Sequence, residues 1–79
     1  MDIKIFGPGC PKCKAMEKHA REAVGQVGAD AEVTKIEDLN EMADHGVMIT
    51  PALSIDGDIL VSGRVASPDE IAGWIQERV

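Results

Sequence analysis

The sequence predicts an α/β fold in the order βαβαββα: a four-stranded mixed sheet with three helices covering both faces. Three observations carry this. A short apolar strand pattern passes through a glycine-proline cluster into a long amphipathic helix and then a second strand pattern. Ile55-Asp56-Gly57-Asp58-Ile59 is a hairpin signal, because a two-residue turn with positive φ suits Asp-Gly. Ser67-Pro68-Asp69-Glu70 supplies a cap, a first-turn proline and an acidic third position, the full start of a closing helix.

Taken in order, Asp2 to Phe6 reads as a strand, with Ile3 and Ile5 on one face and Gly7-Pro8-Gly9 ending it. Pro11 suits the first residue of a helix, since its missing N–H would have had no partner there and its φ is already helical. That helix should run to about Gly25, with Gly25 and Gly28 as stop signals. Cys13, Met16, Ala20, Val24 and Val27 form its apolar stripe. Ala31 to Ile36 is a second strand, rich in Val, Thr and Ile, and strand, helix and strand in succession form a right-handed parallel unit. Asp38 caps a shorter helix that resembles a capping box with Glu41, faces inward through Leu39, Met42 and Ala43, and stops at Gly46. Val47-Met48-Ile49-Thr50 leads into Pro51. Ala52 to Ile55 and Asp58 to Ser62 are the hairpin strands. Ile71, Trp74, Ile75 and Val79 repeat at helical spacing in the last helix, which makes Trp74 a core residue rather than a cofactor platform.

Seventy-nine residues form one domain, 1–79, with no repeats, linkers or low-complexity segments. At this size, folding buries roughly 60% of the unfolded chain's surface, so the stability margin is modest. Phe6 and Trp74 are the sole Phe, Tyr or Trp residues, which leaves an aliphatic core. The chain enters a strand at once, without the features of a secretory signal, and no apolar run approaches the roughly 20 residues of a membrane span. A cytoplasmic, monomeric protein without membrane attachment is the expectation. A net charge of −6 argues against nucleic acid as a partner. Yet Lys12, Lys14, Lys18 and Arg21 place half of the basic residues within ten positions of the first helix. Lysines in a first helical turn oppose the helix dipole; beside a thiolate they would stabilise it. Lys12 and Lys14 are therefore candidates for electrostatic tuning, whereas Lys18 and Arg21 read as a solvated basic face.

The chemistry centres on Cys10-Pro11-Lys12-Cys13, which contains the only two cysteines. Cys10 stands at the expected helix cap, where unpaired N–H groups and the dipole favour its thiolate. Cys13 lies one turn in, on the apolar stripe. An exposed, activated sulfur beside a sheltered one is what thiol-disulfide exchange needs: Cys10 attacks a substrate disulfide and Cys13 resolves the mixed species. A crosslink would close only a four-residue loop, which contributes little. C-x-x-C is also a metal-ligand spacing, so a metal-binding, iron-sulfur or metal-chaperone module is the alternative, and a redox-sensing adaptor is a third. His19 is on another helix face and His45 on another helix, so only a dimer could complete four ligands. A small metal chaperone of similar length usually ends in a strand. No metal and no organic cofactor are assigned.

Gly9-Cys10-Pro11-Lys12-Cys13, Thr50-Pro51-Ala52-Leu53, Asp56-Gly57 and Gly63-Arg64-Val65-Ala66-Ser67 together resemble the small archaeal and bacterial thioredoxin-like redox-active disulfide proteins, of glutaredoxin size, through the whole chain. The resemblance implies a protein-disulfide reductase in which Pro51 is cis beside the disulfide and the backbone of Thr50 pairs with an extended substrate segment. Thioredoxins carry tryptophan before the first cysteine and a buried acid in the preceding strand; here Gly9 and Lys4 stand instead, and Glu17 is the nearest carboxylate along the helix from Cys13. Glutaredoxins use a Gly-Gly-Asp for glutathione, and this chain has Gly63-Arg64. Protein disulfides as substrates and a thioredoxin-reductase-type electron donor, rather than glutathione, are the implied partners.

Overall fold

The computed structural model describes residues 1–9 and 11–78; the expectations placed on Cys10 and Val79 fall outside the described residues. The elements are β1 (Asp2–Phe6), α1 (Pro11–Val27), β2 (Glu32–Ile36), α2 (Leu39–Asp44), β3 (Ala52–Ile55), β4 (Asp58–Ser62) and α3 (Pro68–Arg78). The sheet order is β2-β1-β3-β4. β1 pairs parallel with β2 and antiparallel with β3, and β3 pairs antiparallel with β4, so the sheet is mixed as expected.

Alternation along β1 sorts the molecule into two unequal layers. Ile3 and Ile5 face α1 and α3, where they pack with Met16, Ala20, Ile71 and Ile75 in the larger core. Fully burying one such isoleucine contributes about 1.5–3 kcal/mol, so this layer carries most of the stability. Phe6 points the other way and meets Met42, Val47 and Ala52 in a small second core under α2. The helices thus cover both faces, one of them thinly. Two expectations for α2 change here: Met42 is buried, but Leu39 is 71% exposed and Ala43 is also exposed. Six residues make under two turns, too short to present three inward positions.

Glycines set where the helices stop. α1 passes through Gly25 and ends at Val27, because Gly28 adopts φ 70 and the N–H of Ala29 bonds back to the carbonyl of Val24 at 3.3 Å. The stripe shifts with it: Ala23 is buried, while Val24 and Val27 are half-buried against the core. α2 ends the same way at Gly46, with the N–H of Val47 on the carbonyl of Met42 at 2.8 Å. That motif brings Val47 against Met42 in the second core and leaves Met48 and Ile49 outside it, 94% and 61% exposed. The β3–β4 turn has positive φ at both Asp56 and Gly57, the conformation expected of Asp-Gly. Asp56 also accepts the N–H of Asp2 at 2.9 Å and donates its own to the carbonyl of Asp2 at 2.8 Å, which ties the turn to β1. Trp74 is half-buried against the larger core.

Candidate functional site

Topology brings the motifs together at one end of the sheet. Phe6, the last residue of β1, lies opposite Ala52, the first of β3. The segment leaving β1, Gly7-Pro8-Gly9, and the segment entering β3, Thr50-Pro51, therefore stand side by side. α1 starts from the first segment and carries Cys13, which is 3% exposed. Its neighbours Lys12 and Lys14, turned by about 100° to either side of an inward residue, are exposed. Pro51 is fully buried, Thr50 is exposed, and the bond between them is cis. Among the described residues no hydrogen bond holds the main chain of Thr50. Cys10 lies outside the described residues.

Gly7 is the site residue that the sequence pattern did not single out. A Cβ built on Gly7 would overlap the Sγ of Cys13 and come within 2.8 Å of its Cβ. Space, rather than φ, demands glycine here, since Gly7 is not among the positive-φ residues. Its N–H donates to the carbonyl of Ile36 at 3.0 Å, which continues the β1–β2 ladder by one residue. The sulfur of Cys13 thus rests on backbone pinned to the sheet. The spacing of Gly7 six residues before Cys13 gave no signal, because the approach is made through the fold.

A second device holds α1 at the next turns. Ala66, fully buried before α3, donates its N–H to the Sδ of Met16 at 3.4 Å. Its carbonyl lies 2.8 Å from Nδ1 of His19. A carbonyl only accepts, so Nδ1 carries the proton and donates. His19 therefore clasps the loop that leads into α3 and leaves the first turn of α1 to Cys13.

The charges divide by position. Lys4, Arg21, Lys35, Arg64 and Arg78 each pair with a carboxylate: Asp2 at 3.6 Å, Glu17 at 3.5 Å, Glu37 at 3.1 Å, Glu70 at 2.9 Å and Asp58 at 3.0 Å. Glu70 is held below the ordinary glutamate value, first by the hydrogen bond from Arg64 and then by the N–H of Ser67. Lys35 is raised, first by its hydrogen bond to Glu37 and then by the field of Glu17.

Comparison with known proteins follows this geometry. The family model for the thioredoxin domain matches residues 1–76. The chain belongs to the thioredoxin family. It is 45% identical over 71 residues to a thioredoxin of Methanothermobacter thermautotrophicus, covering 90% of this chain and 92% of that protein. It is 42% identical over 69 residues to a thioredoxin of Methanocaldococcus jannaschii, covering 87% and 79%. Within this thioredoxin fold the two substituted positions acquire physical accounts. Gly9 has φ 86, a region that favours glycine and in which a tryptophan would be strained. Lys4 alternates with Ile3 and Ile5, so it lies on the sheet face opposite α1 and pairs with Asp2. Opposite Lys4 across the β1–β3 ladder is Ser54, whose buried hydroxyl has no hydrogen-bond partner among the described residues. Glu17 is engaged by Arg21 in an i,i+4 pair. Among the described residues no helix is long and apolar enough to cross a membrane.

Proposed function

We propose that this thioredoxin-family chain, as one domain over residues 1–79, is a thiol–disulfide oxidoreductase that reduces protein disulfides through Cys10 and Cys13. The thiolate of Cys10 attacks one sulfur of the substrate disulfide, and the other leaves as a thiolate that takes a proton. Cys13, as thiolate, then attacks the Cys10 sulfur, releasing the second substrate thiol and closing the Cys10–Cys13 disulfide. The substrate gains two electrons and two protons, and a reductase-type donor returns them to the dithiol. Burial of Cys13 against Gly7, one turn into α1, is the observation that carries this reading: a sheltered sulfur suits an intramolecular resolving step.

Other features support the remaining roles. The unbonded main chain of exposed Thr50, beside buried Pro51, suits pairing with an extended substrate segment. Arg64 is committed to Glu70 by two hydrogen bonds, at 3.2 and 2.9 Å, which favours a reductase-type donor over glutathione. Lys12 and Lys14 stand exposed where positive charge would stabilise a thiolate. A monomer in the reducing cytoplasm completes the reading.

The test is reduction of insulin disulfides with dithiothreitol as donor, run beside metal analysis of the same sample. Cys10→Ser should abolish catalysis, and Cys13→Ser should trap a mixed disulfide with substrate. A parent protein no faster than dithiothreitol alone, or one that retains stoichiometric metal, would replace this reading.

A further inference from the structure

The chain has eight lysines and arginines against fourteen acids. Five of the eight, on β1, β2, the third turn of α1, the loop before α3 and the end of α3, have a carboxylate within 3.6 Å. The remaining three are Lys12, Lys14 and Lys18. All three are exposed and none has an ion-pair partner among the described residues; at about 100° per residue Lys14 and Lys18 share one side of α1, a turn apart, and Lys12 stands on the other side of Cys13. Among the described residues, the cations without an ion-pair partner all lie in the N-terminal half of α1.

Leaving them there has a cost within the fold. Lys14 and Lys18 are like charges at i,i+4, which destabilise a helix by about 0.2–0.5 kcal/mol. Positive charge near a helix start opposes the dipole, and α1 has no acid in its first turn to offset it. Nothing in the described fold uses these charges. At the same end of the sheet, Met48 and Ile49 expose apolar surface next to Thr50. Exposed apolar surface and unpaired cations toward the same end of the fold are the two components of an interface that selects by charge.

We propose that this surface docks an acidic protein segment, so that the preferred substrates carry their disulfide flanked by aspartate and glutamate. The inference rests on the exchange reading above and names its substrate class. Lys14 and Lys18, one turn apart on one face of α1, match a short acidic stretch. An extended polyanion such as nucleic acid would instead meet the acidic remainder of a surface whose net charge is −6. Attraction between the lysines and the flanks raises the encounter rate, while like-charge contact suppresses basic substrates.

The experiment compares three peptides that share one intramolecular disulfide and differ only in acidic, uncharged or basic flanks. Dithiothreitol supplies the two electrons and two protons of each turnover. At about 0.01 M salt, kcat/KM for the acidic peptide should exceed that for the basic one by about tenfold. The ratio should collapse near 1 M salt, where the screening length falls to about 3 Å. The double variant Lys14→Gln, Lys18→Gln should lower the ratio severalfold at low salt, while Lys35→Gln, which removes a paired lysine, should leave it in place. Because neutralising a lysine can also alter the thiolate, the ratio between peptides is the readout, not the rate. Equal rates for the three peptides, or a preference that survives the double variant, would overturn the acidic-substrate inference and leave exchange intact. Failure to reduce any peptide, the uncharged one included, would overturn the exchange reading and this inference together.

Discussion

α1 and α3 lie side by side on the same sheet face, yet they are anchored by opposite means. α3 is satisfied locally. Ser67 and Glu70 cap each other, with the N–H of Glu70 on the Ser67 hydroxyl at 3.2 Å and the N–H of Ser67 on the Glu70 carboxylate at 3.4 Å. Asp69 and Glu70 fill its first turn, and Arg78 in its last turn reaches Asp58 and the carbonyl of Ile55. α1 has no acid in its first turn and no base in its last. Its start is held by tertiary contact instead, through Cys13 on Gly7 and through Met16 and His19 on Ala66. A helix that meets the dipole and capping rules is held by its own ends; one that breaks them takes its place from tertiary contact.

The sharpest way to break this contrast is at the tertiary anchor. Gly7→Ala drives a methyl into Cys13, and overpacking of this kind costs about 1–3 kcal/mol. Gly25→Ala, in the last turn of α1 with nothing within 4 Å of the added carbon, should instead stabilise by up to about 0.5–1 kcal/mol. Urea denaturation of both variants reads the pair. A Gly7→Ala protein as stable as its parent would mean that Cys13 does not depend on this contact.

Next in size is the local cap of α3. Ser67→Ala removes the hydroxyl that accepts the N–H of Glu70 and should cost about 1 kcal/mol. An unchanged thermal midpoint would show that Arg64 and Glu70 hold that terminus without it. Smaller, and opposite in sign, is Lys14→Gln with Lys18→Gln, which relieves repulsion in α1 and should add some tenths of a kcal/mol. Destabilisation in that variant would mean that the lysines serve the fold after all.

The smallest effect is electrostatic. The carboxyl of Glu70 is lowered in the folded state, chiefly by Arg64, so its contribution to stability is present above the unfolded glutamate pKa. It fades as pH falls through the lower folded value. Stability of Glu70→Gln relative to the parent, followed by urea midpoints from neutral to acid pH, should converge across that window. Lys35 behaves conversely: its raised pKa places its contribution below the unfolded lysine value, to be lost as pH rises through the folded one. A pH-independent gap for Glu70→Gln would leave the ion pair without a measurable role.

These contrasts follow what was legible in the chain. The start of α3 and the Asp56-Gly57 turn were readable because their signals are local: a cap bonds within three residues, and a turn needs positive φ at its own two positions. α2 was legible in existence but not in orientation, since six residues are too few for a period to fix a face, and Leu39 turned outward. In α1 the choice between Gly25 and Gly28 as terminator was also open to local reading, and the packing of Val24 and Val27 against the core carried the helix to the later one.

The sequence by itself determined the order of elements, the amphipathic stripe that puts Cys13 inward, and the cluster of lysines around it. Those depend on neighbours no further away than a turn or two. Only the tertiary structure decided that Gly7 must lack a side chain, that His19 and Met16 hold Ala66, and that Lys12, Lys14 and Lys18 have no ion-pair partner among the described residues. Each of these joins residues on different elements. Whether a carbon fits or a charge finds a partner is set by distances that exist only once β1, α1 and the loop before α3 have packed together.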